Sequence, residues 1–178
     1  MFMWDVKMRG GYCAMGVGNW ELGIGDWLPS RNSRKAEPGD SIRLSVDISS
    51  LNTFATSYAA AWCSHEPGRV ASFFTEDGSL SINGGAPSVG RAAIAAAANE
   101  FMNAFPDMVV TMDGLAIEDS HAIFRWTLDG TNTGPGGTGQ AVRISGYEKW
   151  TFGADGLIAA SLGHFDAADY QRQLQARA

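Results

Sequence analysis

The chain has 178 residues, of which 45% are hydrophobic and 18% are charged, as expected for one globular domain with a buried core. Its formal net charge of −6, with no basic stripe to offset it, argues against nonspecific binding of nucleic acid. No apolar run is long enough to span a bilayer, and the N-terminus lacks the pattern of a secretory signal. Two cysteines, Cys13 and Cys63, give no sign of a disulfide framework, so a cytoplasmic location is expected.

The first 48 residues differ in composition from the rest of the chain. They are rich in glycine, contain Trp4, Trp20 and Trp27, and keep neither helical nor strand periodicity. Terminal segments without packing partners are usually poorly ordered. We therefore expect residues 1–48 to form a poorly ordered extension and residues 49–178 to form one domain, with an accessory role for the three tryptophans as the alternative.

Helical patterns dominate the first half of this domain. Residues 51–62 carry apolar side chains at spacings of three and four, which predicts an amphipathic helix. Its apolar stripe consists of Leu51, Phe54, Ala55, Tyr58 and Trp62. A short helix over residues 69–74, a turn at 75–78 and a short strand over 79–82 are expected next. The alanine-rich residues 92–102 predict a further helix.

Four strand patterns fill the second half of the domain. They cover residues 108–117, 122–128, 141–152 and 157–165, and a tail helix is expected over residues 167–175. Helices that precede a run of hairpin-connected strands indicate an α+β fold. We expect the helices to pack on one side of a curved antiparallel sheet.

The last predicted strand holds two polar residues of interest. His164 and Asp166 are two apart, so a regular strand would place them on one face with Ile158, Ala160 and Leu162. Both faces are largely apolar, which indicates a buried strand. Because a buried histidine or carboxylate is costly unless it is paired or used, this strand is a candidate site of chemistry.

Four stretches of the chain, in their order and spacing, resemble the SnoaL-like polyketide cyclases of the nuclear transport factor 2-like superfamily. These are the opening helix with residues 71–78, then residues 89–94, residues 124–134, and residues 146–152 together with 155–158 and 163–166. The resemblance implies a cone-shaped sheet wrapped around the N-terminal helices, with a pocket for a small apolar or aromatic ligand. It also implies a homodimer and a reaction that needs no cofactor or metal.

The resemblance gives His164 and Asp166 possible roles. In these cyclases an aspartate at the end of the last strand acts as acid and base, and a histidine precedes it by two residues. A carboxylate in an apolar cavity has a raised pKa, which suits it to move a proton beside a carbonyl. Alternatively, Asp166 caps the tail helix and His164 bonds to a neighbouring group. A further histidine of the cyclases is missing here, since residues 150–152 read Trp-Thr-Phe.

Other side chains are candidates for binding a substrate. Arg125 and Arg143 could orient a carboxylate or an enolate oxygen, or could instead reach solvent or pair with an acid such as Glu148. Tyr58 and Trp62 suit the core or the pocket wall better than catalysis. The full set of candidate substrate-binding residues is Tyr58, Trp62, Arg125, Trp126, Arg143 and Tyr147.

Two other sequence patterns could suggest a nucleotide or a metal site, but neither has the context that such a site needs. Residues 134–139 match G-x-G-x-x-G, but a strand follows them where a dinucleotide site needs a helix, so we expect a hairpin loop at the pocket mouth. The histidines at positions 65, 121 and 164 are scattered without metal-ligand spacing, and His121 is expected to be an exposed turn residue.

Three functions are compatible with these observations. The first is a cofactor-free enzyme that transfers protons on a carbonyl-bearing ligand, as a cyclase, isomerase or dehydratase. The second is a protein that binds a small ligand without chemistry. The third is a dimerisation module whose pocket is closed or filled. The contents and shape of the pocket beside Asp166 should distinguish the first two from the third.

Overall fold

The computed structural model describes the backbone of residues 40–175 and the side chains of residues 48–175. The expected extension therefore lies largely outside the described residues. The first helix nevertheless begins at Asp40, so the last part of the segment assigned to the extension is helical.

Within the described range the chain forms four helices and six strands. In order they are α1 (Asp40–Trp62), α2 (Pro67–Ser72), β1 (Phe74–Ile82), β2 (Ser88–Val89), α3 (Arg91–Ala104), β3 (Val109–Glu118), β4 (His121–Thr131), β5 (Ala141–Phe152), β6 (Ile158–Phe165) and α4 (Ala167–Gln175). The predicted bounds of β5 and α4 are confirmed. The turn predicted at residues 75–78 is wrong, because these residues form a bulged part of β1. Gly78 fits there because an added Cβ would lie 2.9 Å from the carbonyl oxygen of Ile158.

The six strands form one curved sheet in the order β2-β1-β6-β5-β4-β3. The run from β3 to β6 is an antiparallel meander, as predicted. β1 pairs in parallel with β6, and the short β2 pairs with β1 at the edge. The α+β fold class inferred from the order of elements is thereby confirmed.

The hydrophobic core lies between the concave face of the sheet and the helices. The stripe predicted on α1 is confirmed, since all five of its residues are buried. Aromatic rings fill the centre. Phe124 of β4 stacks on Trp150 of β5 with 4.8 Å between ring centroids, and Tyr58 meets Trp150 edge-on at 5.0 Å. These contacts fix α1 against the middle of the sheet.

The side chains of β6 change phase near its start. Thr151 pairs with Ala160 and Phe152 pairs with Ile158, so Ala159 is an extra residue in a β-bulge. Beyond the bulge Ser161, Gly163 and Phe165 are buried, whereas Leu162 and His164 are exposed. The prediction that His164 lies on a buried face is therefore wrong, because it assumed unbroken alternation from Ile158.

The loop between β4 and β5 packs on the end of α3. Asn132 is buried, donates to the carbonyl of Ala104 at 3.3 Å, and accepts from the backbone N–H of Thr138 at 2.7 Å. Gly134 also donates to Ala104 at 3.1 Å, and an added Cβ there would overlap Asn103. This is the G-x-G-x-x-G loop, and its expected place at the pocket mouth is wrong, since none of its residues lines the cavity described below.

No helix in the described part of the chain has the length and hydropathy to cross a membrane.

Candidate functional site

A small cavity lies on the concave face of the sheet, between the strands and helices α1 and α3. Its aromatic walls come from Trp62, Phe101, Phe124, Trp126 and Phe165. Its volume is about 40 Å³. A buried water needs roughly 10–15 Å³ by this measure, and drug-sized ligands occupy about 300–1,000 Å³. In this conformation the cavity therefore admits a compact molecule or one end of a larger one.

Glu148 of β5 is the single acidic residue among the described residues that line this cavity. Only 6% of it is exposed, and three donors converge on its Oε2 atom. The Tyr58 hydroxyl donates at 3.0 Å, the Trp150 indole N–H at 2.9 Å and the Ser161 hydroxyl at 2.6 Å. None of the described groups donates to Oε1, so this oxygen keeps its hydrogen-bonding capacity for a ligand.

The surroundings of Glu148 shift two pKa values. Burial raises the pKa of the Glu148 carboxyl, and the hydrogen bonds from Ser161, Trp150 and Tyr58 offset only part of that effect. Burial, followed by the nearby Glu148 charge, raises the pKa of the Tyr58 hydroxyl, while the Trp62 indole acts in the opposite direction. A carboxyl whose pKa is raised towards neutrality is suited to accept and return protons.

Glycine residues make room for this arrangement. Gly146 lies two residues before Glu148 on the same face of β5 and pairs with Trp126 of β4. An added Cβ at Gly146 would lie 2.6 Å from Cζ2 of Trp126, so only glycine lets the indole lie across β5. Trp126 also meets the Phe165 ring, with 6.3 Å between centroids. Glu148 and Trp126 thus line the same cavity from neighbouring strands.

Of the predicted site residues, Tyr58, Trp62 and Trp126 lie at this cavity or against Glu148. The other candidate substrate-binding residues lie on the outer face of the sheet. Arg125, Arg143 and Tyr147 are all exposed there.

The two arginines pair with acids other than Glu148. Arg125 lies 3.7 Å from the Glu118 carboxylate, and Arg143 donates to both oxygens of Asp129 at 2.7 and 2.6 Å. The alternative of an arginine paired with Glu148 is therefore wrong. It fails because arginines at odd-numbered positions of β4 and β5 point away from the face that Glu148 occupies.

Asp166 and His164 also lie away from the buried carboxyl. The Asp166 side chain is exposed, and its Oδ1 atom accepts from the backbone N–H groups of Ala168 and Asp169, both at 2.9 Å. This is the helix-cap geometry foreseen as the alternative. His164 borders the cavity, but its imidazole packs against the Tyr147 ring on the outer face, with 5.5 Å between centroids. Catalytic roles for Asp166 and His164 stay predictions.

Glu148 was not singled out as a catalytic candidate from the sequence, although a signal was present. Ile144, Gly146, Glu148 and Trp150 alternate along β5, and the two large apolar members mark the buried face. An acid at the third of these positions must share that face. The signal is weak because Tyr147 and Lys149, which flank the glutamate, also combine a polar group with a large apolar part. Either face of the strand could therefore be taken for the buried one.

The remaining histidines do not join the site. His121 starts β4 and is half-buried, so its prediction as an exposed turn residue is wrong. In the part of the chain that the structure describes, no group of three or more His, Cys, Asp or Glu side chains is placed to hold a metal ion.

Comparison with known proteins gives one match to a family. Residues 55–161, more than half of the chain, match the family model described as the SnoaL-like domain. Among curated protein sequences, none matches the chain.

Several solved structures share the fold. A phenazine biosynthesis-related protein from Pseudomonas aeruginosa is 17% identical, with 79% of this chain and 92% of that chain covered and a TM-score of 0.60. A SnoaL-like polyketide cyclase from Jannaschia sp. CCS1 is 14% identical, with 82% and 100% covered and a TM-score of 0.56. A protein with a ketosteroid isomerase-like fold from Catenulispora acidiphila, crystallised with trimethylamine, is 15% identical, with 71% and 92% covered and a TM-score of 0.57. At these identities the likeness shows the fold alone.

Proposed function

The chain belongs to the SnoaL-like domain family, and from that premise we propose that it is a cofactor-free enzyme that transfers protons on a small carbonyl-bearing ligand. Glu148 is the proposed acid and base. The main support for this role is the position of Glu148. Its side chain is buried and lines an aromatic cavity, and one of its carboxyl oxygens has no donor among the described residues.

The proposed step is a reversible proton transfer. Glu148 Oε1 takes a proton from the carbon next to the carbonyl of the ligand. The electron pair of that C–H bond forms a C=C bond, and the carbonyl π electrons move to oxygen to give an enolate. Return of a proton to the α-carbon restores the carbonyl and the carboxylate, and the α-hydrogen is exchanged when the Glu148 proton has first exchanged with solvent. When the ligand is an unsaturated ketone, the dienolate can instead take the proton at its γ-carbon, which moves the double bond.

The test is hydrogen–deuterium exchange at the α-carbon of small ketones in D₂O, followed by NMR. Glu148→Gln keeps an acceptor for the three donors but cannot exchange a proton at useful pH, so we expect exchange to fall by at least about 100-fold. Asp166→Asn is the matched comparator, because asparagine caps a helix as well as aspartate does. Loss of exchange in Asp166→Asn alone would move the catalytic role to Asp166 and reject Glu148.

A noncatalytic binding protein is the second candidate function. The small cavity favours it, since a volume of about 40 Å³ leaves little room for a substrate to rearrange. The neighbour crystallised with trimethylamine is an example of a protein of this fold that holds a small molecule. This function predicts that ligand affinity survives in Glu148→Gln and that no ligand shows exchange in the natural protein.

We also propose a homodimer formed through the outer face of the sheet. Leu162 is 56% exposed and Tyr147 is 38% exposed on neighbouring strands of that face. Leu162→Glu should then yield monomers, which light scattering would detect as a halved molar mass. An unchanged molar mass in Leu162→Glu would reject this surface.

A further inference from the structure

The cavity carries two indole N–H groups that the proton transfer above does not use. The Nε1 atoms of Trp62 and Trp126 are both buried without a hydrogen-bond acceptor among the described residues, but the Trp62 indole lies close enough to the Tyr58 hydroxyl to lower its pKa, which leaves Trp126 as the donor for a ligand. The indole itself lines the cavity beside Glu148. An unpaired buried donor costs about 1–3 kcal/mol, so native proteins rarely retain one without a use.

Packing rather than hydrogen bonding holds this indole in place. Gly146 leaves the space it occupies, since an added Cβ would lie 2.6 Å from Cζ2 and 3.0 Å from Cε2 of Trp126. The Phe165 ring meets it edge-on from β6. The donor atom is bonded to Cε2, so the contact that seats the ring also fixes the position of the N–H group.

The polar groups at the cavity restrict the chemical class of the ligand. Among the described residues no lysine or arginine lines it, and Arg125 and Arg143 are paired on the opposite face of the sheet. His164 borders the cavity, but its imidazole packs against Tyr147 on the outer face, so no fixed positive charge there compensates an anion. Aromatic walls with one carboxyl group would suit an organic cation. A cation, however, offers no acceptor and would leave the Trp126 N–H group unpaired. An uncharged ligand with an acceptor oxygen satisfies both groups.

We propose that the Trp126 indole donates a hydrogen bond to the carbonyl oxygen of the ligand, and that this ligand is a compact, uncharged carbonyl compound. The inference rests on the proposed use of the Glu148 cavity as a ligand site. During the proton transfer the same N–H group stabilises the negative charge that develops on oxygen. Donors of this kind contribute roughly 10²–10³-fold to rate in well-studied enzymes.

Three probes of matched shape test the ligand class. Cyclopentanone has an acceptor oxygen, methylenecyclopentane replaces that oxygen with carbon, and cyclopentylamine is a cation at neutral pH. Ligand-observed NMR measures the affinity of each. We expect the natural protein to bind the ketone about tenfold more tightly than the hydrocarbon, which corresponds to one net hydrogen bond.

Two variants test the donor. Trp126→Phe keeps an aromatic wall but removes the N–H group, so the ketone preference should disappear. Phe101→Leu is the matched control from the α3 wall, since it changes an aromatic wall residue without removing a donor, and it should change the affinity for all three probes alike while the ketone preference remains. α-Hydrogen exchange of cyclopentanone should fall about 100- to 1,000-fold in Trp126→Phe.

A measurement on the natural protein does not depend on the folding of either variant. In ¹H–¹⁵N spectra the indole N–H resonance of Trp126 can be assigned through its contacts with the Phe165 ring protons. We expect this resonance to move downfield when cyclopentanone is added and to stay in place with methylenecyclopentane.

Each opposite outcome has a defined meaning. Equal affinity for ketone and hydrocarbon, tighter binding of cyclopentylamine, no binding of any probe, or ketone binding with an unmoved Trp126 resonance would overturn this inference. Binding with the resonance shift but without exchange would reject only the proton transfer by Glu148. If Trp126→Phe exchanged the α-hydrogens of cyclopentanone as fast as the natural protein, the proposed stabilisation of the enolate by the indole would be rejected.

Discussion

At the scale of single residues, the carboxyl group of Glu148 is held by donors from three separate elements. Tyr58 belongs to α1, Trp150 to β5 and Ser161 to β6. All three donors are themselves buried, so none can turn to water if the acceptor is lost. The glutamate is therefore a structural acceptor as well as the proposed acid and base.

Substitution of Glu148 should separate its charge from its role as an acceptor. Glu148→Gln keeps an oxygen for the three donors, and we expect its free energy of unfolding to change by no more than about 1 kcal/mol. Glu148→Leu has a similar size but leaves three buried donors unpaired, and it should lose about 3 kcal/mol or more. Urea unfolding measures both, and equal stability of the two variants would contradict the acceptor role.

Asp166 provides a second test at this scale. Its carboxylate caps α4, so Asp166→Ala should lower the free energy of unfolding by about 1 kcal/mol, whereas Asp166→Asn should stay within a few tenths. Thermal unfolding of the two variants side by side is the measurement. If alanine and asparagine proved equally stable, the cap would contribute nothing.

At the scale of elements, two local irregularities decide what the cavity contains. The bulge at Ala159 turns Ser161 inwards to meet Glu148 and turns His164 outwards. The loop after β4 is fastened to the end of α3 by Asn132, whose amide contacts both Ala104 and Thr138. The attachment therefore holds α3, which supplies part of the cavity wall, against the connection between β4 and β5.

The loop attachment predicts a large effect from one small change. Asn132→Ala removes a buried hydrogen bond to Ala104 and a partly buried one from Thr138, so we expect a loss of about 2 kcal/mol of unfolding free energy. Thr133→Ala is the control on the adjacent exposed residue and should be nearly neutral. Comparable stability of both variants in urea would show that the loop is not an anchor.

At the scale of the whole molecule, the sheet separates two electrostatic environments. Its outer face carries arginines paired with acids in contact with water, and such pairs contribute little to stability. Its concave face holds Glu148 among aromatic rings. The contact between Tyr58 and Glu148 joins residues 90 positions apart, so the site exists only when the whole domain is folded.

This separation predicts how stability depends on pH. Burial raises the pKa of folded Glu148 above the ordinary value of 4.5, so the folded chain binds its proton more tightly than the unfolded chain does. The resulting stabilisation is complete below pH 4.5 and is lost as the pH rises through the raised pKa. Stability curves of the natural protein and Glu148→Gln should therefore diverge upwards from that pH, with the natural protein losing more. Parallel curves would mean that burial does not shift this carboxyl.

Much of the fold could be predicted because its causes are local. The apolar stripe of α1, the bounds of β5 and the tail helix follow from side-chain periodicity and helix-forming residues over short windows. The parallel pairing of β1 with β6 could not be predicted in this way. It joins residues from opposite ends of the domain and depends on a bulged strand that reads locally as a turn.

The candidate site also combines features that a local sequence pattern predicts with features that depend on distant contacts. The fold class, the family resemblance and the aromatic residues Tyr58, Trp62 and Trp126 near a pocket follow from sequence patterns. Which polar groups of the strands are buried depends on the pairing of the strands, because one extra residue at Ala159 reverses the faces of β6 and leaves His164 in solvent. Asp166 caps a helix, and Glu148 lies in the cavity, because burial depends on contacts between distant strands that no local pattern records.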